Sequence, residues 1–420
     1  MKKLNLQYPR LTPLWIAVFV DILGFSIILP FLPFFVNEYN SSPLIVGLLL
    51  SSNAIFGFIC GPILGSLSDK FGRKKLLLIS QLGTFIGFLI LAFSQNITML
   101  FIARIVDGIF GGQFPISKAV IGDVVPPKER SKQMTNIGIA FTLASLIGPG
   151  TGALLSDFGI IGPGLLASTL SLITIIFTAV YFKETLPLKT GTLADWQVKQ
   201  SKKMEKGGSS SILQNKQAMY ILLVYGLLVI GATMFQSTLS VFGFLRLGLN
   251  EKNIGLIYTL MGVFQIFYRS LFFNRIRKKF GDTWTALMGM GGYIIAFFLL
   301  TLVRTTWQLT LTVFFISFCG ASARGILMGF ASRVVDHKNQ GKINGLTSSL
   351  DSFSQIISPL IGTFLLSLTN ENIFGWVLSG LSAIVFALGI QLTKFKFDKK
   401  DEKNLTEGQI KEYKEIYSDD

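Results

Sequence analysis

Twelve long apolar runs constrain this chain more than any other feature of its sequence. A helix needs roughly 20 mostly apolar residues to cross a bilayer. Runs of about that length occupy residues 14–36, 44–64, 76–93, 99–120, 136–155, 162–182, 218–242, 254–273, 284–302, 309–330, 343–368 and 374–392. Half of the 420 residues are hydrophobic and 15% are charged, whereas soluble domains carry about 25% charged residues. The sequence therefore predicts an all-α, polytopic membrane protein with twelve transmembrane helices.

The basic residues indicate how these spans are oriented. Thirty-one of the 38 Lys and Arg residues lie at the termini or in alternate loops, and the intervening loops hold Arg246, Lys252 and Arg304. Basic loops face the cytoplasm, so we expect a multi-pass protein of the cell membrane with both termini in the cytoplasm. The net charge of +15 is then a sign of topology, and we expect no nucleic-acid partner.

Few side chains in the sequence suit a metal centre or an enzyme. The two cysteines, Cys60 and Cys319, lie inside apolar runs, and His337 is the single histidine. A thiolate cage or a histidine-based catalytic cluster needs more such residues. We therefore predict no metal, no cofactor and no enzymatic activity.

A polar gap that includes KQSKKMEKGGSSS divides the chain in two. The predicted parts are an N-terminal six-helix half (1–182), a cytoplasmic linker (183–216), a C-terminal six-helix half (217–394) and a charged cytoplasmic tail (395–420). A shift of 210 positions places Pro149 and Gly152 on Pro359 and Gly362, and further matches follow in the same order. Parallel repeats imply a pseudo-twofold axis along the membrane normal and a midplane site between the halves.

The loop GSLSDKFGRKK between the second and third spans is the most specific motif. Asp69 and Arg73 lie four residues apart across a turn that Gly72 permits, so they are placed to pair with each other or with helix ends. The loop resembles the signature between helices two and three of the major facilitator superfamily, and this resemblance extends over essentially the whole chain. It implies two halves that work by alternating access, with Gly65, Asp69, Gly72 and Arg73 as gating residues.

The fourth span carries charged residues inside an apolar run. Arg104 and Asp107 are three residues apart and can pair within one helix, and an arginine inside a span usually faces a cavity or a partner. The segment resembles the family's helix-four motif, whose arginine is often linked to proton coupling; the alternative is a static salt bridge. Near the cytoplasmic end, Lys118 and Asp123 either reach the surface or join the gating loop. Residues spaced three or four positions apart lie on one face of a helix. This spacing predicts a single face for Arg104, Gly108, Gly111, Pro115 and Lys118.

The fifth span contains SLIGPGTGALL. Gly148 and Gly152 give it a small-residue face for close helix packing. The stretch resembles the helix-five motif of the family's antiporter branch at Gly148, Pro149 and Gly152, although Ala153 replaces the usual final glycine. The resemblance favours exchange over uptake, and packing alone is the alternative.

Asp21 lies about seven residues into the first apolar run, roughly 11 Å along a helix axis. A carboxylate at that depth is costly to keep charged, which suits it to take up and release a proton. The stretch VDILGFSIILPFLP resembles helix one of the tetracycline-type and multidrug proton antiporters. We expect Asp21, Arg104 and Asp107 to carry proton coupling; the alternative for Asp21 is a permanent pair with a cation.

The C-terminal half departs from that branch. Its ninth span, residues 284–302, contains no acid, whereas tetracycline exporters typically carry one in that half, so tetracycline with its bound metal is not the expected substrate. Arg269 and Arg324 either bind an anionic substrate group or are neutralised by Asp351 and the linker. The candidate substrate cavity consists of Asn53, Gln113, Gln236, Gln265, Arg324, Asp351 and Gln355.

Together these features predict a proton-coupled antiporter that exports an amphipathic drug-like or metabolite compound. We expect it to act as a monomer in the lipid bilayer on a small-molecule substrate and protons. The alternatives are a proton-coupled symporter or facilitator for a sugar or organic acid and, from another class, a membrane receptor or scaffold on the same fold.

Overall fold

The computed structural model describes residues 11–37, 42–125, 127–185, 215–335, 339–368, 370 and 372–395. Regular structure in these ranges is entirely helical. The helices are α1 (Thr12–Ile28), α2 (Leu32–Asn37), α3 (Pro43–Phe71), α4 (Arg73–Ala92), α5 (Ile97–Ile109), α6 (Gln113–Val124), α7 (Pro127–Leu155), α8 (Ile161–Tyr181), α9 (Lys216–Leu247), α10 (Glu251–Tyr268), α11 (Asn274–Leu302), α12 (Thr306–Arg333), α13 (Gln340–Ser367) and α14 (Asn372–Ile390). A π-helical segment, Arg269–Phe273, joins α10 to α11.

These helices make twelve passes in the described part of the chain. The first pass consists of α1 and α2, and the fourth of α5 and α6. The eighth runs from α10 through the π-helical segment into α11, and the ninth begins at Gly281, where a φ of +80° interrupts α11. Eight helical stretches are long and apolar enough to cross a membrane by length and composition. The all-α membrane fold is confirmed. Most of the predicted linker and tail, residues 186–214 and 396–420, lies outside the described residues.

Local sequence explains several helix ends. Pro43 begins α3, where its missing N–H is not needed. The Asn96 side chain caps α5 by accepting a hydrogen bond from the Met99 amide. Gly72 separates α3 from α4 with a φ of +101°, a conformation that disfavours other residues.

Two symmetry-related helix pairs join the halves. α3 packs on α13, and α7 packs on α10. A Cβ atom on Gly47 would lie 2.9 Å from the Pro359 carbonyl oxygen, and one on Gly255 would lie 2.9 Å from the Pro149 carbonyl oxygen. The same glycine-to-proline contact therefore occurs twice, at positions about 210 residues apart. This repeat supports the prediction of two related halves.

The halves share apolar contacts at one end of the bundle. We call the end that carries Arg73 and Arg277 the basic end. At the opposite end one apolar cluster includes Ile28 and Phe242 from different halves, and the rings of Phe34 and Phe244 lie 5.7 Å apart. First-half residues near the basic end form a separate apolar cluster. Apolar contact between the halves is therefore observed at the end opposite the basic end.

Candidate functional site

Asp21 is held by a hydrogen bond from the fourth pass. The Nε2 atom of Gln113 donates to Asp21 Oδ1 at 2.6 Å. Asp21 lies in α1, and Gln113 is the first residue of α6 and is only 3% exposed. The structure thus brings a predicted proton-site residue together with a predicted cavity residue, a contact between residues 92 positions apart.

The fourth pass is not one continuous helix, which corrects the predicted single face from Arg104 to Lys118. It breaks at residues 110–112, where Ser80 Oγ donates to the Phe110 carbonyl and the Phe110 ring occupies the space that Gly83 leaves. Gly111 and Gly112 follow, and glycine is a poor helix former. Because of this break, the N-terminus of α6 places Gln113 against Asp21.

A second polar group lies beside Asp21 and is buried. Arg104 is 2% exposed, and its Nη1 atom lies 3.4 Å from Asp107 Oδ2. Asn53 donates through Nδ2 to Asp107 Oδ2 at 2.9 Å and to the Arg104 carbonyl oxygen at 3.2 Å. The Arg104 guanidinium also lies 5.7 Å from the centre of the Phe88 ring. Asp21 and Asp107 are close enough for their charges to interact.

The loop that the sequence predicts to act in gating is held by Arg73. Its guanidinium lies 2.5 Å from Asp69 and 2.8 Å from Asp123 at the end of α6. The Arg73 amide donates to Glu184 Oε1 at 2.9 Å, and the Lys74 amide donates to Glu184 Oε2 at 3.1 Å. Asp123 thus joins the loop, which was one of its two predicted placements. Glu184, the first acid after the sixth pass, was missed in the sequence.

The second half contains the same arrangement with its charges reversed. Asp282 follows Gly281 as Arg73 follows Gly72, and its carboxylate pairs with Arg277 and, at 3.0 Å, with Arg333. Arg333 lies 210 positions after Asp123. The hydrogen bond from Arg277 lowers the pKa of Asp282, which lies outside the spans, so this carboxylate is ionised at neutral pH. The sequence marks this turn by Phe280 and Gly281, which repeat Phe71 and Gly72 of the first half, but the exchanged charges were missed.

In the second half, Asp351 neutralises Arg324. Arg324 Nη2 and the Tyr225 hydroxyl both donate to Asp351 Oδ1, each at 2.9 Å. The Arg324 side chain is nevertheless 52% exposed. Tyr225 was not among the predicted site residues. Three predicted cavity residues are exposed, namely Gln236, Gln265 and Gln355. Within the described part of the chain, no contact joins them to Asp21.

The glycines of the fifth pass pack against α1. A Cβ atom on Gly148 would lie 2.5 Å from Ser26 Cβ, and one on Gly152 would overlap Phe31 and the Ile27 carbonyl. Close packing is therefore the observed role of these two residues. An additional role of Gly148, Pro149 and Gly152 in exchange stays a prediction.

Comparisons with known proteins identify transporters with a similar sequence or the same fold. The model of the Major Facilitator Superfamily matches residues 14–279 and 247–419. The tetracycline resistance protein, class H, of Pasteurella multocida is 29% identical over 351 residues, which are 83% of this chain and 86% of that protein. Multidrug resistance protein 2 of Bacillus subtilis (strain 168) is 25% identical over 405 residues, which are 96% of this chain and 98% of that protein. The crystal structure of the human organic anion transporter MFSD10 (TETRAN) has the same fold, with a TM-score of 0.67 and 22% identity over 91% of this chain and 99% of that one.

Proposed function

This chain belongs to the Major Facilitator Superfamily, and from that premise we propose that it is a proton-coupled antiporter that exports an amphipathic drug-like or metabolite compound. The observation that carries the proposal is Asp21, a membrane-embedded acid hydrogen-bonded to Gln113 and next to the buried Arg104–Asp107 pair. The similarity to tetracycline and multidrug resistance proteins along most of their length supports export as the direction.

We propose further that the basic end faces the cytoplasm, which puts both termini there. In this proposal a space between the halves opens to the cytoplasm, where an exported compound enters. Alternating access moves the two six-helix halves around this space, and one monomer suffices because both halves lie in one chain.

Exchange follows when the proton and the substrate do not occupy the same cavity at the same time. In this proposal Asp21 takes up a proton from the outside and releases it to the cytoplasm after the halves have moved. Asp107 acts as a coupling residue because its charge interacts with that of Asp21, and Arg104 acts through its pairing with Asp107. The substrate leaves as the proton enters, so the proton gradient drives export.

The gating role is assigned to two charge-inverted clamps. The first clamp consists of Arg73 with Asp69 and Asp123, and the second of Asp282 with Arg277 and Arg333. Each ties a loop at the basic end to a helix end of the same half. The clamps therefore keep each half rigid while the two halves move relative to each other. Gly65 and Gly72 belong to the first clamp loop.

Everted membrane vesicles test the proposed function. Respiration acidifies their interior, and the dye acridine orange reports the pH gradient. The panel contains amphipathic cations, tetracyclines, sugars and organic acids, and vesicles without the protein serve as the control. We expect at least one amphipathic compound to accumulate inside and to dissipate the gradient. The proposal is wrong if only sugars or organic acids move protons, and in the same direction as themselves.

The charge-inverted clamps make a separate prediction. Asp282→Arg places three cations together, and we expect transport in these vesicles to fall about tenfold, the effect of ~1.4 kcal/mol. Adding Arg333→Asp recreates the Arg73–Asp123 pairing of the first half, and transport is expected to recover. If the double variant is no better than Asp282→Arg, the second clamp does not act through charge pairing.

A further inference from the structure

Cations outnumber acids among the described residues on and beside the helices that carry Arg324 and Asp351. Asp351 accepts from Arg324 and Tyr225 through one oxygen. The Arg324 side chain is 52% exposed and that of Asp351 28% exposed, so both remain accessible to a ligand. The single carboxylate balances one arginine, and two more cations contact the helices that carry this pair.

The first of these cations reaches across from the other half. Lys118 Nζ lies 3.4 Å from Ser348 Oγ, which is one helical turn before Asp351. The same ammonium group lies 4.3 Å from the centre of the Phe114 ring, and the Phe114 side chain is 45% exposed. Lys118 is also close enough to Asp351 for the two charges to interact. A cation and an open aromatic surface therefore stand together at this point.

The second cation is Arg269. Its Nη2 atom lies 4.0 Å from the position that a Cβ atom would take on Gly325, the residue after Arg324. Arg269 is exposed, and its side chain has no ion pair or hydrogen bond to any residue that the structure describes. It begins the π-helical segment Arg269–Phe273, and such segments are frequent at functional sites. Gln265, one turn earlier on the same helix, is exposed as well.

This excess of positive charge indicates a ligand of the opposite sign. Charged groups within membrane spans are costly and usually meet a counter-charge or line a water-filled cavity. Arg324 pairs with Asp351, Lys118 interacts with the same carboxylate, and Arg269 lies beside Gly325, the residue after Arg324. One acid against three cations leaves two positive charges for a ligand to balance. Arginine and lysine bind carboxylate and sulfonate oxygens through charge-assisted hydrogen bonds, and the exposed Phe114 ring provides a surface for an apolar body.

We propose that Lys118, Arg269 and Arg324 form a subsite for the carboxylate or sulfonate group of an amphipathic aromatic substrate. The inference rests on the proposed transport function and adds the charge of the compound. The anionic group binds between the three cations and takes the place of Asp351 beside Arg324. Its apolar body packs on Phe114, so the substrate contacts both halves at once.

Three probes with one ring system and different charges test this subsite. They are 1-naphthaleneacetate, its neutral amide and 2-(1-naphthyl)ethylammonium, each titrated calorimetrically into the purified full-length protein at pH 7.4. We expect the anion to bind about tenfold more tightly than the amide, as one charge-assisted hydrogen bond gives, and the cation to bind most weakly. Arg269→Gln and Arg324→Gln should each bring the anion and the amide close to equal affinity.

Lys252→Gln is the matched control. Lys252 is an exposed cation that pairs with Asp157 at the opposite end of the bundle, so its removal should leave the preference for the anion unchanged. The proposal is overturned if the amide or the ammonium compound binds the wild type as tightly as the anion. It is also overturned if the preference survives both arginine substitutions. Binding requires no proton exchange, so a failed antiport assay combined with a retained anion preference would refute the proposed function alone.

Discussion

Replacing Asp21 with asparagine is expected to abolish proton-driven accumulation of substrate while leaving a folded protein. Asparagine has nearly the shape of aspartate and can still accept the hydrogen bond from Gln113, so the local packing persists. It cannot carry a proton on and off, which removes the step that couples the gradient to transport. In everted vesicles, accumulation should fall to the level of vesicles without the protein, whereas exchange of labelled for unlabelled substrate without a gradient should continue.

Asp157→Asn is the control for this substitution. Asp157 is an exposed acid that pairs with Lys252, and its carboxylate is 65% exposed. We expect this variant to accumulate substrate like the wild type because surface ion pairs contribute little. If Asp21→Asn accumulates substrate as well as Asp157→Asn does, Asp21 has only a structural role.

Replacing Arg104 with leucine is expected to cause the largest loss of stability. Arg104 is 2% exposed, and its removal leaves the buried Asp107 carboxylate without its cation. Removing one partner of a buried pair typically costs about 3–5 kcal/mol. Thermal unfolding in detergent should therefore begin at a clearly lower temperature than in the wild type, and the yield of folded protein should fall.

A double variant separates stability from coupling at this site. Arg104→Leu with Asp107→Asn removes both charges, and Asn53 can still hydrogen-bond to the new amide. We expect folding to recover and proton-driven transport to remain lost. Recovery of transport together with folding would mean that the Arg104–Asp107 pair is a static salt bridge.

Much of the fold could be predicted because the features that a membrane-spanning helix requires are present in short stretches of sequence. An apolar run, a basic loop or a glycine turn is each recognised from a few neighbouring residues. The twelve passes and the loop that contains Asp69 and Arg73 could therefore be predicted from the sequence. The Arg104–Asp107 pair was also local, since the two residues lie three positions apart. These features require no knowledge of how distant helices pack.

The remaining features depend on contacts between distant residues. The hydrogen bond from Gln113 to Asp21 needs the break in the fourth pass, which arises because Phe110 packs into the space at Gly83 on another helix. The ion pair between Arg324 and Asp351 also joins two different passes. The sequence alone did not decide whether Arg324 pairs with Asp351 or binds an anionic substrate group. Only packing decides which of several possible partners a charged residue takes.

Substrate efflux without any imposed pH gradient gives the most direct test of proton-coupled antiport. Proteoliposomes are loaded with the compound that the vesicle panel identifies and with the pH dye pyranine, then diluted into compound-free buffer of the same pH. The buffer contains no sodium, and valinomycin with equal potassium on both sides holds the membrane potential at zero. The account predicts that the lumen becomes acidic as the compound leaves, and that Asp21→Asn shows no pH change. An alkaline lumen would indicate symport, an unchanged pH in the wild type would indicate a facilitator, and either result would contradict the account.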